Sequence, residues 1–276
     1  MFFFEIVKAM LFGIVEGITE WLPVSSTGHL ILLNDVIGLN VSHGFYEVFE
    51  VVIQLGAILA VLVYFRKKLS PFGKSGEEKR QTLRLWRLSV LGVIPSAVAG
   101  LLLDDLLDTY LYDPPTVAIM LIIYGIAFIA VERAKKGTAP RLSQTSELTV
   151  KDAFAVGLFQ MLALIPGTSR SGATILGGYL CGLSRPVAAE FSFFLAIPTM
   201  LGAGGLKTAK FFIEENTPTL SEGTLLLVAA LTAFGVSLIA IKFLTELVRR
   251  HSFSGFGIYR IALGALVLIY HFTGRL

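Results

Sequence analysis

The stretch EGITEWLPVSSTGH, residues 16–29, places carboxylates, hydroxyls and an imidazole inside an apolar part of the chain. Glu16 and Glu20 are four residues apart, so they share one face of a helix. Ser26 and His29 share a face of the helix that follows. Ionisable side chains in apolar segments are costly and usually face a polar cavity, so this stretch indicates the catalytic half of a site. The alternative is an interfacial helix with both glutamates in water, the hydroxyls as helix caps and His29 in packing.

A second stretch, PGTSRSGAT at residues 166–174, has the chemistry of an anion site. Arg170 is a fixed positive charge where a helix begins, so free N–H groups and the positive end of the helix dipole face the same loop. Phosphate suits this combination well. The other candidate ligands are hydroxyl residues and glycines of the two stretches: Ser25, Thr27, Ser169, Ser171, Thr174, Gly167 and Gly172. The alternative is a capped loop in which Glu16 or Glu20 neutralises Arg170, and the two interpretations are compatible.

The composition is that of an integral membrane protein. The chain of 276 residues is 54% hydrophobic and only 16% charged, whereas a soluble domain usually carries about 25% charged residues. Its mean hydropathy is +0.74. The net charge of +3 is too small to indicate nucleic-acid binding. Cys181 is the only cysteine, which excludes an intramolecular disulfide and a thiolate metal cluster.

Six apolar segments approach the roughly 20 residues that a membrane-spanning helix needs. They lie at about 46–65, 88–103, 115–131, 187–206, 223–244 and 256–273. Two more apolar regions, 5–39 and 150–183, are interrupted at LPVSSTG and IPGTSRSG. Pro and Gly stop a helix, and the pieces on either side are too short to span, so both regions are predicted to form re-entrant helix hairpins.

The two interrupted regions resemble each other, and each is followed by three apolar segments. We therefore predict an all-α integral membrane fold, a single domain of two repeats at about 1–133 and about 150–276. Each repeat is a re-entrant hairpin plus three transmembrane helices, and because three is odd, the second repeat is inverted relative to the first. This arrangement brings both interruptions together near the middle of the membrane. Glu50, Gln54 and Glu190 are further candidates to line the shared cavity.

The distribution of basic residues predicts the orientation in the membrane. Region 66–87 has eight Lys and Arg residues and region 132–152 has five, whereas region 104–113 has four Asp and no basic residue. Cytoplasmic loops are enriched in Lys and Arg, so we expect 66–87 in the cytoplasm and both termini outside. The first hairpin then enters from outside, and we expect the site to open to the outer face.

The motifs EGITEWLPVSSTGH and PGTSRSGAT resemble the two signature motifs of the undecaprenyl-diphosphatase, or bacitracin-resistance, family. FEVVIQLGAILAV, at 49–61, and AEFSF, at 189–193, are similar to that family as well. The resemblance covers nearly the whole chain. It implies a multi-pass enzyme of the bacterial inner (plasma) membrane that hydrolyses undecaprenyl diphosphate to undecaprenyl phosphate and inorganic phosphate. This reaction recycles the lipid carrier for cell-wall synthesis and confers bacitracin resistance.

The resemblance also implies the roles of the candidate residues. Those with catalytic roles would be Glu16, Glu20, Ser26, His29 and Arg170. The family depends on a divalent cation, Mg²⁺ or Ca²⁺, which Glu16 and Glu20 would bind through carboxylate oxygens. Three nucleophiles are left open: Ser26 with His29 as base, which we favour, His29 itself, and water.

The substrate implied by the resemblance is a polyprenyl diphosphate lipid, whose tail needs an apolar groove that opens to membrane lipid between spans. A polyprenyl-phosphate transporter or flippase is the main alternative, because inverted repeats with broken helices are typical of transporters. A structural membrane protein with a buried ion pair is a further one. The sequence leaves the oligomeric state open, with a homodimer among the alternatives.

Overall fold

The computed structural model describes residues 2–111, 113–213 and 217–274. Within these ranges the chain is helical, with no β-strand and a single isolated bridge between Leu142 and Leu183. The α-helices are α1 (Phe2–Thr19), α2 (Ser26–Ile37), α3 (His43–Tyr64), α4 (Arg66–Leu69), α5 (Gly76–Leu111), α6 (Pro114–Ala134), α7 (Val150–Met161), α8 (Arg170–Leu180), α9 (Arg185–Ile213), α10 (Leu220–Arg250) and α11 (Ser254–Phe272). Short 3₁₀ turns lie at Thr145–Glu147 and Leu162–Leu164.

Six helices of the described ranges are long and apolar enough to cross a membrane, and they confirm the six predicted spans. Their spanning parts are Gly44–Tyr64, Gly76–Leu103, Pro114–Ala134, Arg185–Ile213, Leu220–Arg250 and Ser254–Phe272. Several run further than the apolar segments predict, because polar caps extend a helix beyond its apolar core. Helix α10, for example, begins in a capping box where Thr219 and Glu222 bond each other's backbone N–H groups.

Both predicted interruptions are present, and each lies between two short helices that pack together. Helix α1 ends at Thr19 and α2 begins at Ser26. Helix α7 ends at Met161, a 3₁₀ turn follows, and α8 begins at Arg170. Prolines within each break remove backbone donors, so the helices cannot continue through them. We call residues 20–25 break one and residues 165–169 break two.

Small residues let the helices approach closely. Helices α6 and α11 cross where Gly125 and Gly257 meet, and a Cβ on Gly257 would stand 2.6 Å from the carbonyl oxygen of Gly125. Helix α1 lies against α10 in the same way, since a Cβ on Gly17 would stand 2.8 Å from the carbonyl oxygen of Ala233. Such contacts are typical of helices that associate within a membrane, where burial of apolar surface gives little drive. They fix α11 and α1 against the interior of the bundle.

Helix α9 is the central element of the bundle. Its most apolar window is 67% buried, whereas that of α11 is 28% buried. Phe191, Phe193 and Phe194 are enclosed in the largest apolar cluster. Outer helices instead leave large apolar side chains uncovered, such as Leu102 on α5 and Ile239 on α10. An apolar outer surface around a packed centre is what a lipid environment requires.

Candidate active site

The two breaks meet at an ion pair between Glu20 and Arg170. The Nη2 atom of Arg170 donates a hydrogen bond of 2.8 Å to Oε1 of Glu20. Only 6% of the Glu20 side chain and 11% of the Arg170 side chain are exposed. Low exposure makes this a desolvated charge pair, and it joins two segments that are distant in sequence. The structure therefore brings the acidic and the basic motif into one site.

Hydroxyl groups complete the surroundings of Glu20. The Oγ atom of Ser26 donates to Oε2 of Glu20 at 2.8 Å, so both carboxylate oxygens are engaged. The hydroxyl of Ser171 lies 3.0 Å from the Glu20 carbonyl oxygen and 3.2 Å from that of Leu22, to which it donates. Ser171 thus ties the start of α8 to the backbone of break one.

Helix α9 supplies a residue that the sequence analysis missed. The Nη1 atom of Arg170 donates to the carbonyl oxygen of Ser192 at 2.7 Å, and its hydroxyl oxygen lies at 3.3 Å. The hydroxyls of Thr174 and Ser192 are 2.7 Å apart. The guanidinium also lies over the Trp21 ring, with 5.8 Å from Cζ to the ring centroid. A serine beside Glu190 in an otherwise apolar span was the available signal for Ser192.

His29 lies beside break one, where it contacts Tyr259 of α11. Its Nδ1 is 2.7 Å from the Ser25 carbonyl oxygen, which only accepts, so Nδ1 carries the proton. Its Nε2 therefore accepts from the Tyr259 hydroxyl, also at 2.7 Å, and the two rings are stacked with an interplanar angle of 5°. Ser26 is bonded to Glu20 instead of His29, so the expected pairing of Ser26 with His29 is not the arrangement that the structure has.

The two breaks end in matching backbone turns. Ser25 and Ser169 both have φ of 72°, a left-handed conformation that a non-glycine residue rarely adopts. Each serine hydroxyl accepts from a backbone N–H three residues on, Gly28 at 3.3 Å and Gly172 at 3.1 Å, and so caps the helix that follows. Such conformations cost about 1–3 kcal/mol each and persist where surrounding contacts hold them. Thr27 is half-buried on the first turn of α2.

Glu16 is a buried carboxyl with unused bonding capacity. It is fully enclosed, and neither carboxylate oxygen has a hydrogen-bond partner among the described residues. Its carboxyl interacts electrostatically with those of Glu20 and Glu50 and with the Arg170 guanidinium. A buried carboxylate without a donor is costly, so this position needs a cation or a proton.

Arg260, on the second turn of α11, is a further residue that the sequence analysis missed. It is fully buried, and it donates to the Pro23 carbonyl oxygen at 3.2 Å in break one. It also donates to the carbonyl oxygens of Gly167 and Thr168 in break two, both at 2.8 Å. The signal that could have identified Arg260 was a charged residue within an apolar segment.

The remaining candidate residues from the sequence lie at different distances from the Glu20–Arg170 pair. Glu50, half-buried on α3, is close enough to interact with Glu16. Gln54 is half-buried one turn further along α3. The carboxylate of Glu190 is bonded to Lys68 at 2.6 Å, which draws it toward the basic segment at α4. Gly167, with φ of 87°, and Gly172 bring backbone close to the Val117 backbone and the Arg260 guanidinium, respectively.

A sequence model of the family described as bacitracin resistance protein BacA matches residues 9–266. The chain belongs to this family. It is 54% identical over 268 residues to an undecaprenyl-diphosphatase of Streptococcus thermophilus, covering 96% of this chain and 93% of that protein. It is 55% identical over 273 residues to an undecaprenyl-diphosphatase of Streptococcus mutans, covering 98% and 97%. An undecaprenyl-diphosphatase of Streptococcus equi subsp. zooepidemicus is 52% identical over 272 residues, with 98% of each covered.

A divalent cation at this BacA-family site would need oxygen ligands. Within the described ranges, no group of three or more His, Cys, Asp or Glu side chains is arranged to hold a metal ion. Glu16 and Glu20 nevertheless fit Mg²⁺, because that ion is usually held by one or two carboxylates together with substrate phosphates and water. The two unpartnered oxygens of Glu16 are the ligands that such an ion would engage.

An apolar groove lies beside break one and has a volume of about 600 Å³. Leu22 and Val24 form its wall at the break, Phe243 and Leu247 come from the end of α10, and Phe256 and Tyr259 from the start of α11. Tyr259 is also the partner of His29, so one side chain borders both the groove and the polar site. The groove can therefore receive an apolar chain attached to a polar group.

Proposed function

We propose that this chain hydrolyses undecaprenyl diphosphate to undecaprenyl phosphate and inorganic phosphate at the site where the two breaks meet. Its membership in the BacA family and its similarity to named undecaprenyl-diphosphatases support this activity. The observation that carries it is the buried Glu20–Arg170 pair, which sets an acid and a guanidinium at two helix N-termini. The reaction returns the lipid carrier to cell-wall synthesis in the bacterial membrane, which is how bacitracin resistance arises.

Arg170 would bind the diphosphate. A guanidinium pairs with phosphate through two parallel N–H groups, and the N-terminus of α8 adds backbone donors and the positive end of its dipole. Ser169, Ser171 and Thr174 place hydroxyl groups at the same helix start. On binding, the phosphate would take the place of Glu20 on Arg170. Glu20 would then become free to accept a proton.

Ser26 would be the nucleophile and Glu20 its base. The hydrogen bond from Ser26 to Glu20 supports this assignment, since a base needs to lie within hydrogen-bond reach of the proton that it removes. The Ser26 oxygen attacks the terminal phosphorus while its proton goes to Glu20, and the bond to undecaprenyl phosphate breaks. Water then hydrolyses the serine phosphate and releases inorganic phosphate. His29 would hold the start of α2 in place through the Ser25 carbonyl.

Glu16, with Glu20, would hold a divalent cation, Mg²⁺ or Ca²⁺, against the diphosphate. A bound cation neutralises the charge that develops on phosphoryl oxygens in the transition state. The partnerless carboxyl group of Glu16 supports this role, and Glu50 places a third carboxyl group nearby. Glu16 lies in the last turn of α1, and Glu20 follows its end with its N–H bonded to the Glu16 carbonyl oxygen at 3.0 Å, so the two carboxylates can contact one ion.

The groove at break one would take the first isoprene units of the tail. Its apolar walls and its position next to Leu22 and Val24 support this assignment. A tail in this groove leaves the diphosphate at the breaks, because Tyr259 borders both. Longer parts of the tail would lie against the apolar outer surface of α10 and α11, in contact with membrane lipid.

The two halves of the chain would form an inverted repeat with both termini outside. Packing between helices supports the repeat, because helices that correspond under it have corresponding partners. Helix α1 packs on α10 in the same way that α7 packs on α5. The pair α3 and α9, and the pair α6 and α11, each join two helices that correspond under the repeat. The identical φ of Ser25 and Ser169 supports it as well. The basic segment 66–87 would be cytoplasmic and the site would open to the outer face. All proposed site residues come from one chain, so the activity does not require a homodimer.

Phosphate release by the purified protein in detergent tests this proposal. We expect one inorganic phosphate per undecaprenyl diphosphate, and loss of the reaction when a chelator removes divalent cations. Detergent micelles have no second compartment, so a flippase without hydrolytic activity would release nothing. Absence of phosphate release with Mg²⁺ or Ca²⁺ present would contradict the proposed function.

A further inference from the structure

Arg260 is a buried cation without a carboxylate partner. It forms no salt bridge with any acidic residue in the described ranges, and its Nε has no hydrogen-bond partner there. Arginine stays protonated in proteins, so a positive charge is held inside the bundle. Buried charges are normally paired with an opposite charge, because desolvation is costly. Burial of this unpaired charge therefore destabilises the fold, which indicates that the charge has a function.

The hydrogen bonds of Arg260 connect the two breaks directly. Nη1 reaches the Pro23 carbonyl oxygen in break one, and Nη2 reaches the carbonyl oxygens of Gly167 and Thr168 in break two. These carbonyls belong to irregular backbone, where no helix supplies a donor. One planar group thus sets the distance and angle between the segments that lead to Ser26 and Arg170. A lysine could not copy this, since its single ammonium lacks the rigid fork.

The position of the guanidinium is electrostatically unfavourable without an anion. Its Nη1 lies 3.0 Å from where a Cβ of Gly172 would stand, on the first turn of α8. A cation at a helix N-terminus opposes the positive end of the dipole. A second guanidinium, Arg170, lies at the same helix start, and its charge is already balanced by Glu20. The unbalanced charge near the site is therefore that of Arg260, and a diphosphate would offset it.

We infer that Arg260 is a positioning residue for the phosphatase reaction, and this inference rests on the proposed function. It holds the backbone of both breaks in the geometry that aligns Ser26, Glu20 and Arg170. Its charge also raises the positive potential in which the diphosphate binds. It acts through carbonyl groups and the electric field and does not contact the reacting atoms.

Kinetics of Arg260→Lys and Arg260→Gln test the inference. The Lys variant keeps the charge and loses the fork, so kcat should fall by about 100-fold, the effect of a displacement of about 1 Å, while KM stays near the wild-type value. The Gln variant loses both, so KM should also rise by about tenfold. Arg185→Gln is the matched control, because Arg185 is paired with Glu132 away from the breaks. It should lower thermal stability and leave kcat and KM of the folded protein unchanged.

Amide hydrogen exchange gives a second readout that does not need activity. In Arg260→Lys, amides in 20–28 and in 165–173 should exchange faster together, while those of α3 and α6 stay as in wild type. The inference would be overturned if the folded Arg260 variants had the amide exchange rates and the kinetics of wild type. It would also be overturned if neither variant folded. An inactive wild-type protein whose breaks loosen in Arg260→Lys would contradict the proposed function and keep the positional role.

Discussion

The hydroxyl of Ser26 donates a 2.8 Å hydrogen bond to Oε2 of Glu20, whose other oxygen accepts from Arg170 at 2.8 Å. One carboxylate thus links the proposed nucleophile with the proposed phosphate ligand. Displacement of Arg170 toward a bound phosphate would leave Ser26 as the remaining hydrogen-bond donor to the Glu20 carboxylate. In the proposed mechanism, activation of the nucleophile would therefore be coupled to substrate binding.

Removal of the Ser26 hydroxyl should abolish turnover and the covalent intermediate. In Ser26→Ala we expect kcat to fall by about 1000-fold or more, as in other enzymes that lose a nucleophile. Rapid quenching with labelled substrate should trap a phosphoprotein in wild type and none in the variant. Ser89→Ala removes a buried serine hydroxyl that is bonded to the Leu85 carbonyl oxygen on α5, outside the site, and should keep the intermediate. Near-normal activity in Ser26→Ala would leave His29 or water as the nucleophile.

Glu16 should control the requirement for a divalent cation. Glu16→Gln keeps the shape of the side chain and removes its charge, so the Mg²⁺ or Ca²⁺ concentration for half-maximal activity should rise by about 10–100-fold. Activity titrated against metal after chelator treatment gives this concentration. Glu190→Gln is the control, since its carboxylate is bonded to Lys68, and its metal dependence should match wild type. A Glu16 variant with an unchanged metal requirement would remove Glu16 from the cation site.

Gly167 should tolerate no side chain. Its φ is 87° and a Cβ would collide with the Val117 backbone, so Gly167→Ala combines a left-handed alanine with a clash. Gly137 has φ of 82° and open space around it, so Gly137→Ala pays only the backbone penalty of about 1–2 kcal/mol. Thermal denaturation in detergent should give Gly167→Ala a free energy of unfolding ~1–3 kcal/mol below that of Gly137→Ala. Equal stabilities of the two variants would show that the packing of break two is looser than described.

Thiol labelling should establish the orientation of the chain. In a Cys181→Ser background, an impermeant reagent added outside intact cells should label Asn40→Cys, at an exposed position between α2 and α3. It should not label Ser75→Cys, which is exposed in the basic segment 66–87. Ser26→Cys should react from outside and be protected by undecaprenyl diphosphate. The reverse pattern for Asn40 and Ser75 would invert the proposed topology.

Much of the fold could be predicted from the sequence because its causes are local. The six spans follow from apolar length, and the breaks follow from Pro and Gly placed between short apolar pieces. The helical extent of α5 through Leu111 could not be read from hydropathy, because its acidic end resembles a loop in composition. The side chains of His43, Asp104, Asp105 and Asp108 lie outside the described part of the structure.

The site could be predicted from the sequence only where a buried charge requires an opposite charge as its partner. A buried arginine is usually paired with a carboxylate, so the sequence predicts that Glu16 or Glu20 faces Arg170, and in the structure Glu20 is the partner. Ser192, Tyr259 and Arg260 escaped prediction because their contacts depend on how α9 and α11 pack against the breaks. The partner of His29 was missed for the same reason, since Tyr259 comes from the far end of the chain.

Phosphate release from undecaprenyl diphosphate by wild type, Glu20→Gln and Arg170→Ala tests the claim that both breaks form one active site. We predict that each variant, although from a different half of the chain, loses at least about 1000-fold in kcat/KM. Glu132→Gln, which breaks the partly buried ion pair between α6 and α9, should keep wild-type rates once folded. Folded Glu20→Gln or Arg170→Ala protein that hydrolyses the substrate at a rate near that of wild type would contradict the shared site.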